Sequence, residues 1–295
     1  MHVFVRAVTA FCALAFIFAI PASANSGLEK LANAWPNSPS KHETARLDYD
    51  LAAVRRGEEA VPAVFASILP ANLPKIRETR LKKLTFIRLV LPLILESNTR
   101  ILAKREHLSA LAAEPRLTPM DREWLQELAR DYDVDPESPD MIVELLQRVD
   151  IIPPSLAIAQ SITESGWGTS RFAHRGRALY GQRTWSRGGG IVPKQRRSGE
   201  TYEVRAFRSL LESVESYMRN LNTHPAYADL RASRAQDRKT AQPVSGYTLA
   251  EGLDRYAETG QQYIDELKTL MRVNRLCDFD DASLRTVGDR LAALR

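Results

Sequence analysis

The stretch from Ala157 to Ala173, AIAQSITESGWGTSRFA, leads through small and apolar residues to one carboxylate, Glu164. Gly166 and Gly168 follow, with Trp167 between them. A carboxylate at a helix end, half enclosed by alanine, isoleucine and tryptophan, has its charged form disfavoured, so its pKa rises. A carboxyl still protonated near neutral pH can hand a proton to a leaving oxygen, the task of a general acid in glycoside cleavage. The two glycines let the backbone turn away at once and leave the acid at the lip of a groove. Trp167 then either braces the turn or stacks on a sugar face. The same residues also suit an ordinary helix end, with Glu164 solvated, Gly166 as C-cap and Trp167 as core anchor.

Other chemistries find little support. His42, His107, His174 and His224 are far apart in the chain and no pair has metal-ligand spacing, so no metal and no cofactor is expected. Cys277 has no nearby histidine to activate it and, once Cys12 is removed with the N-terminus, no partner for an internal disulfide. It is expected as a small buried hydrophobe. There is no phosphate-binding glycine loop. SPSK (Ser38 to Lys41) has serine–lysine spacing but lies in a Pro/Ser-rich stretch and is read as chance. The net charge of +5 comes from bases mixed with acids, which suits an acidic polymer and argues against a nucleic-acid face.

The elements that must hold Glu164 are mostly helical. PPSLAIAQSITES, from Pro153, reads as a helix with a small, apolar surface, buried on several sides. Upstream, Phe86, Leu89, Val90, Leu93, Ile94, Ile101 and Leu108 recur at helical spacings. They predict one long helix over 82–112, kinked at Pro92. Residues 46–78 read as short helical pieces broken by Pro62, Pro70 and Pro74. Thr118 with Asp121 and the run Pro139 to Val149 predict two more helices. Downstream, the alternation in TYEVRAF after the turn-like RRSG predicts a small β-hairpin. Ser209 with Glu212, and Thr248 with Glu251, have the spacing of capping boxes.

His2 and Arg6, an apolar run from Ala7 to Ile20, and PASA (Pro21 to Ala24) have the layout of a secretory signal cleaved after Ala24. The expected organisation is a signal peptide at 1–24, a linker at 25–45, a helical N-terminal region at 46–149, a catalytic domain at 150–277 and a C-terminal helix at 278–295. The helices before about 150 are expected to pack around their own apolar stripe. The chain is then periplasmic or secreted.

AQSITESGWGTSRFA resembles the signature of the bacterial glucosaminidase family, peptidoglycan hydrolases of lysozyme-like fold. ALYGQ (Ala178 to Gln182) is similar to that family's Asn-Leu-Phe-Gly segment. GETYEVRAFRSLLESVESYMRNLNTHPAYADL and RYAETGQQYIDELKTLM resemble its hairpin-to-helix stretch and its closing Tyr-Ala…Tyr segment. In the N-terminal half, VPAVFASILPANLP followed by FIRLVLPLILESN resembles the bacterial Bax family.

The resemblance implies a mainly α (α+β) fold, lysozyme-like with a small β-hairpin. It also implies cleavage of peptidoglycan glycan strands by an endo-β-N-acetylglucosaminidase type of reaction, with peripheral contact to the cell envelope. Glu164 is implied as the acid. Tyr256 is implied to face it and to help place the attacking group. Trp167, Tyr180, Gln182 and Gln195 are further groove residues, as are Tyr202, Glu203, Tyr227 and Tyr263. The departures are specific. Relatives often carry a second glutamate four residues before a glycine in the hairpin. Here the matching glycine is Gly199 and the residue is Gln195, which cannot act as base or nucleophile. Ala178 replaces the family's Asn, and one extra residue precedes Tyr263. Glu200 and Glu203 lie near the lost acid, and Glu203 is read as a solvated strand charge. A lytic transglycosylase, which needs one acid, and a non-catalytic wall-binding or scaffold module are the alternatives.

Overall fold

The computed structural model describes residues 47–197 and 199–285. The expected signal peptide and linker lie outside the described residues. Within them the chain forms α1 (Leu51–Arg55), α2 (Thr79–Ala113), α3 (Pro119–Asp131), α4 (Met141–Arg148), α5 (Pro154–Ser165) and α6 (Arg171–Gly176). Three short strands follow, β1 (Arg183–Thr184), β2 (Gly190–Ile191) and β3 (Glu203–Arg205). The remaining helices are α7 (Leu210–Thr223), α8 (Ala228–Lys239), α9 (Gly246–Leu249) and α10 (Gln261–Val273).

α5 is the central element. It opens on Pro154, whose fixed φ suits a first helical position and whose missing N–H costs nothing there. Its N-cap, Pro153, has no hydrogen-bonding side chain to offer. The cap comes instead from Asp280, whose carboxylate accepts from Ser155 N and from Ser155 Oγ, both at 2.8 Å. From Leu156 to Ile162 every residue is buried. The small side chains let α2, α9, α10 and the 3-10 turn Leu276–Phe279 all lie against it. The helix stops at Gly166, which adopts the left-handed conformation (φ 59°) and returns its N–H to Ile162 O. Gly168 is forced by space as well as by its φ of +71°, because a Cβ there would stand 2.8 Å from the Phe86 ring and 2.9 Å from Leu73.

α2 continues through Pro92 as one helix and joins two cores. Its first half (Phe86 to Leu95) shares a single apolar cluster with α5, α7 and α10, and with residues from Leu47 onward. Its second half (Leu108, Leu111) packs with α3 and α4 in a separate cluster. The expectation that everything before about residue 150 packs on itself therefore holds only beyond roughly the middle of α2. The long helix spans two bodies of apolar surface, and the site helix α5 needs the first of them.

Five other expectations are corrected. RRSG does not join two hairpin strands. β3 is instead the middle of a three-stranded antiparallel sheet in the order β1-β3-β2, with Val204 opposite Arg183 and Ile191. Thr248 caps nothing; α9 starts earlier, at Gly246, where a Cβ would meet Ser155 Oγ at 2.1 Å. Ser209 does accept from Glu212 N at 3.1 Å, but Glu212 answers Arg208 N at 2.7 Å, one residue outside the box. The described part of the expected helix 278–295 is not α-helical. Leu284 bridges Val61 in parallel, and Arg285 N donates to Val61 O at 2.7 Å. Cys277 is exposed rather than buried. The Thr118–Asp121 capping box, by contrast, is complete in both directions.

Candidate active site

Glu164 lies in the last turn of α5 and lines a cleft of about 790 Å³. Its two oxygens have different surroundings. Oε1 accepts from Tyr263 Oη at 3.1 Å. Tyr263 Oη in turn accepts from Gln160 Nε2 at 3.0 Å, and Gln160 Oε1 accepts from Tyr217 Oη at 2.6 Å. Gln160 and Tyr217 are both fully buried (0% exposed). Gln160 stands one turn before Glu164 on the same helix face. The second oxygen, Oε2, lies against Gly181, where a Cβ would come within 2.9 Å of it and where φ is +59°. Glycine is thus required at 181 both by the carboxylate beside it and by the backbone.

Burial pushes the Glu164 carboxyl up to about 7; the Tyr263 hydrogen bond opposes the shift, Glu266 adds to it, and Arg183 opposes it. The enclosure is mostly tyrosine. Tyr180 stacks on Tyr217 with ring centres 3.7 Å apart, and Tyr256 stacks on Tyr263 at 5.4 Å. Tyr227 tilts against Tyr256 at 5.9 Å. Burial raises the pKa of Tyr180, Tyr217, Tyr227, Tyr256 and Tyr263, so all five are neutral hydroxyls near neutral pH. Among neutral, mutually stacked rings the loss of solvent outweighs the charge of Arg183, and the carboxyl keeps its proton to higher pH.

Tyr180, Gln182, Tyr227 and Tyr256 line the cleft with Glu164. Tyr263, counted above among the groove residues, is the tyrosine in hydrogen-bond contact with the acid. Tyr256 Oη donates to Tyr180 O at 3.2 Å and so ties the 179–181 segment to the wall that carries Tyr256. Gln182 gives Nε2 to Ser216 O at 3.3 Å, while its Oε1 has no protein partner.

The other four sequence candidates lie elsewhere. Trp167, at φ 58°, meets Phe86 edge-on at 6.1 Å, with Lys83 Nζ 4.9 Å from its ring centre. It braces the turn and does not line the cleft. Gln195 is exposed on the segment between β2 and β3. Tyr202 reaches the cleft only through Arg183, whose guanidinium rests 4.3 Å from its ring centre. Glu203 is not simply a solvated strand charge, because it accepts from Gly188 N at 3.3 Å and Gly190 N at 2.9 Å.

Residues that the sequence alone did not single out complete the site. Gln160 had one available signal, its four-residue spacing from Glu164. Tyr217 had none, since only the packing of α7 on α5 brings it close. Arg183, Trp185, Arg255 and Glu258 line the cleft as well. Among the described residues no group of acids, histidines and cysteines is arranged to hold a metal ion. No helix among them is long and apolar enough to cross a membrane.

This combination of a helical body, a small sheet and a cleft around one buried acid agrees with what comparison finds. Residues 140–276 match the glucosaminidase family, described as mannosyl-glycoprotein endo-beta-N-acetylglucosaminidase. The chain is also similar to protein bax of Escherichia coli strain K12, with 34% identity over 213 residues, covering 71% of this chain and 76% of that one. It therefore belongs to the Bax-like family and carries a glucosaminidase domain, a glycosidase type of module. Among solved structures, the catalytic domain of the autolysin Auto from Listeria monocytogenes aligns with 58% of this chain and 94% of its own, at 19% identity and a TM-score of 0.30.

Proposed function

We propose that this protein cleaves the glycan strands of peptidoglycan as an endo-β-N-acetylglucosaminidase, with Glu164 as the general acid. The observation that carries this is the acid itself, held by burial at a pKa of about 7 in a cleft walled by tyrosines. Such a carboxyl is protonated in the ground state and gives up its proton to the glycosidic oxygen as the bond breaks. With Oε1 occupied by Tyr263, the oxygen that delivers the proton is Oε2, beside Gly181. Tyr263 then stabilises the carboxylate left behind. Attack on the sugar carbon falls to water or to the substrate's own acetamido group. Tyr256 Oη, which donates to Tyr180 O, still has lone pairs to hold a water. Gln195 takes no part. Cleavage after Ala24 and export to the periplasm or beyond belong to the same proposal.

A second reading is favoured by one feature. Glu164 has no carboxylate in hydrogen-bond contact, and a lytic transglycosylase needs no second acid. Digestion of purified peptidoglycan, followed by product mass, separates the two, because the transglycosylase product is the anhydro sugar and lacks the added water. Glu164→Gln keeps the shape and removes the proton, so release should fall by about 10²–10⁴-fold. Undiminished release by Glu164→Gln overturns the assignment of the acid. No release by the native chain leaves a wall-binding module. The mass of the mature N-terminus checks export, and a chain still beginning at Met1 would defeat it.

A further inference from the structure

Two fully buried side chains, Gln160 and Tyr217, stand behind the acid and do not line the cleft. The hydrogen-bonding capacities of their atoms fix the direction of every proton between them. Gln160 Oε1 can only accept, so Tyr217 Oη, 2.6 Å away, spends its single proton there. Gln160 Nε2 can only donate, so Tyr263 Oη accepts from it at 3.0 Å. Tyr263 thereby keeps its own proton for Glu164 Oε1, at 3.1 Å. An oxygen that already receives a proton from Tyr263 is the carbonyl oxygen of the neutral acid. The acid proton then belongs to Oε2, beside Gly181 and the cleft.

A side-chain amide has nearly the same shape with its oxygen and nitrogen exchanged. In the exchanged orientation every direction reverses. Tyr263 would donate to Gln160 Oε1, and the acid proton would sit on Glu164 Oε1 and point at Tyr263 Oη, away from the cleft. Tyr217 excludes that orientation. Its hydroxyl would accept from Nε2 and have its own proton left over, because Gln160 Oε1 is the one acceptor it meets among the described residues. A buried O–H without an acceptor carries the full cost of its lost hydration. The Tyr217 ring cannot easily turn aside. It stacks on Tyr180 with 3.7 Å between ring centres and 5° between the planes, which keeps the hydroxyl aimed at the amide.

We propose that Gln160 and Tyr217 are positioning residues that set which oxygen of Glu164 carries the proton, Tyr217 by locking the Gln160 amide and the amide by making Tyr263 a donor. The lock supplies no proton itself. It keeps the acid proton on Oε2, where a leaving oxygen can reach it. The role rests on the reading of Glu164 as the acid, but the proton's address is a property of the folded chain and is read without substrate. Unlocking the amide therefore does more than deleting it. With no acceptor at position 160, Tyr263 still donates to Glu164 Oε1. With a free amide, both orientations are populated and part of the protein turns its proton inward.

The test is pH-difference infrared spectroscopy of the full-length chain, taken well below and well above the Glu164 pKa of about 7. The protonated carboxyl gives a C=O band, assigned by its absence in Glu164→Gln. In the parent that C=O accepts from Tyr263, which lowers its frequency. Tyr217→Phe keeps the ring on Tyr180 and removes the lock. A second band should appear at higher frequency, from molecules whose carbonyl is now Oε2 and has lost the tyrosine donor. Below the pKa, kcat of this variant should fall about two- to tenfold, following the share of molecules whose proton faces inward. Gln160→Met, whose sulfur is a weak acceptor, should keep a single band near the parent's. The titratable groups that face Glu164 or line the cleft with it include Glu266, Arg183, Arg255, Glu258 and His224, and neither variant alters them. Should Gln160→Met not fold, the Tyr217→Phe spectrum decides alone. A single unmoved band in Tyr217→Phe, or a larger displacement in Gln160→Met, overturns the lock, as does a parent without a protonated carboxyl band. The expected band pattern with no cleavage by the native chain would sink the hydrolase and leave the lock standing.

Discussion

Two buried carboxylates flank the two ends of one helix and meet opposite fates. Asp150, just before α5, is 1% exposed. Burial alone would raise its pKa, but hydrogen bonds from Arg238 and the charges of Arg234, Arg105 and Arg238 hold it below the ordinary aspartate value. Arg238 grips both its oxygens, at 2.8 and 3.0 Å, and Arg105 stands 3.5 Å away. Arg234, itself buried, spends its other donors on the carbonyls of Gln147, Asp150 and Ile151 and on Asn222 Oδ1. Glu164, in the last turn, has tyrosines where Asp150 has arginines, and its pKa goes up. The first acid is ionised at neutral pH and ties α4, α8 and the chain before α5 together. The second keeps its proton within reach of pH 7. Burial is common to both, so the choice of partner decides whether a buried acid is structural or chemical.

Asp150→Asn is the hardest test of the structural half. It keeps the shape and leaves the arginine cluster without its anion, which should cost about 3–5 kcal/mol of stability, read by denaturant unfolding near neutral pH. The pH dependence follows from the lowered pKa. The stabilisation is in place above the unfolded-chain value and disappears as pH falls through the lower native one. The gap between the native chain and the variant should therefore close in acid. A gap that does not narrow as pH falls below the ordinary aspartate range, or is absent at pH 7, removes the electrostatic account of Asp150.

Glu164→Gln should act with the opposite sign. A native pKa raised from 4.5 to about 7 means that the folded chain binds the proton more tightly. The stability this lends is full below pH 4.5 and is lost as pH rises to about 7. Above that, charged Glu164 is a burden. The variant should match the parent near pH 4 and exceed it at pH 8 by roughly 1–3 kcal/mol, while losing activity at both. Thermal melts at the two pH values settle the point, and equal melts at pH 8 would mean that the carboxyl is not desolvated. The surplus stability measures what the site gives up to keep an acid there.

How much of this was legible in the sequence depended on whether the signal was local. The 3.6-residue spacing of Phe86 to Leu108 foretold α2 closely, and the small apolar run at Pro153 foretold a buried α5 ending at Glu164. Glu164 itself was legible because it ends a small, apolar helical run at two glycines, a local signal, although the tyrosines that enclose it come from distant parts of the chain. What failed was long-range. No local pattern says that Asp280 will cap α5, that Leu284 will pair with Val61, or that Tyr217 will reach Gln160. TYEVRAF alternates as a strand should, but its partners lie on the far side of the RRSG turn at Arg183 and Ile191. Strand pairing is set by side chains that meet only after folding. Trp167 misled for a related reason. A tryptophan between two glycines reads equally well as brace or platform, and only the position of Phe86 decides for the brace.

The smallest effect tests the link between the acid and its neighbour. Tyr263 donates to Glu164 Oε1, and a donor to a carboxylate favours the ionised form. Tyr263→Phe removes that donor and keeps the ring that stacks on Tyr256. The Glu164 pKa should then move above 7, since burial continues to act and its main opponent is gone. Cleavage needs the protonated acid, so the alkaline limb of kcat/KM should shift to higher pH. At a pH below the limb, kcat should fall only several-fold, because Glu164 still carries its proton and the carboxylate is only partly formed in the transition state, so the lost hydrogen bond counts for about 1 kcal/mol. Gln160 Nε2 loses its acceptor in the same variant, so some stability is lost too, and the pH of the limb distinguishes the two effects. A merely destabilised protein loses amplitude at every pH. An alkaline limb that stays in place, or moves down, would show that Tyr263 does not hold the catalytic oxygen pair, and the assignment of proton delivery to Oε2 would fall with it.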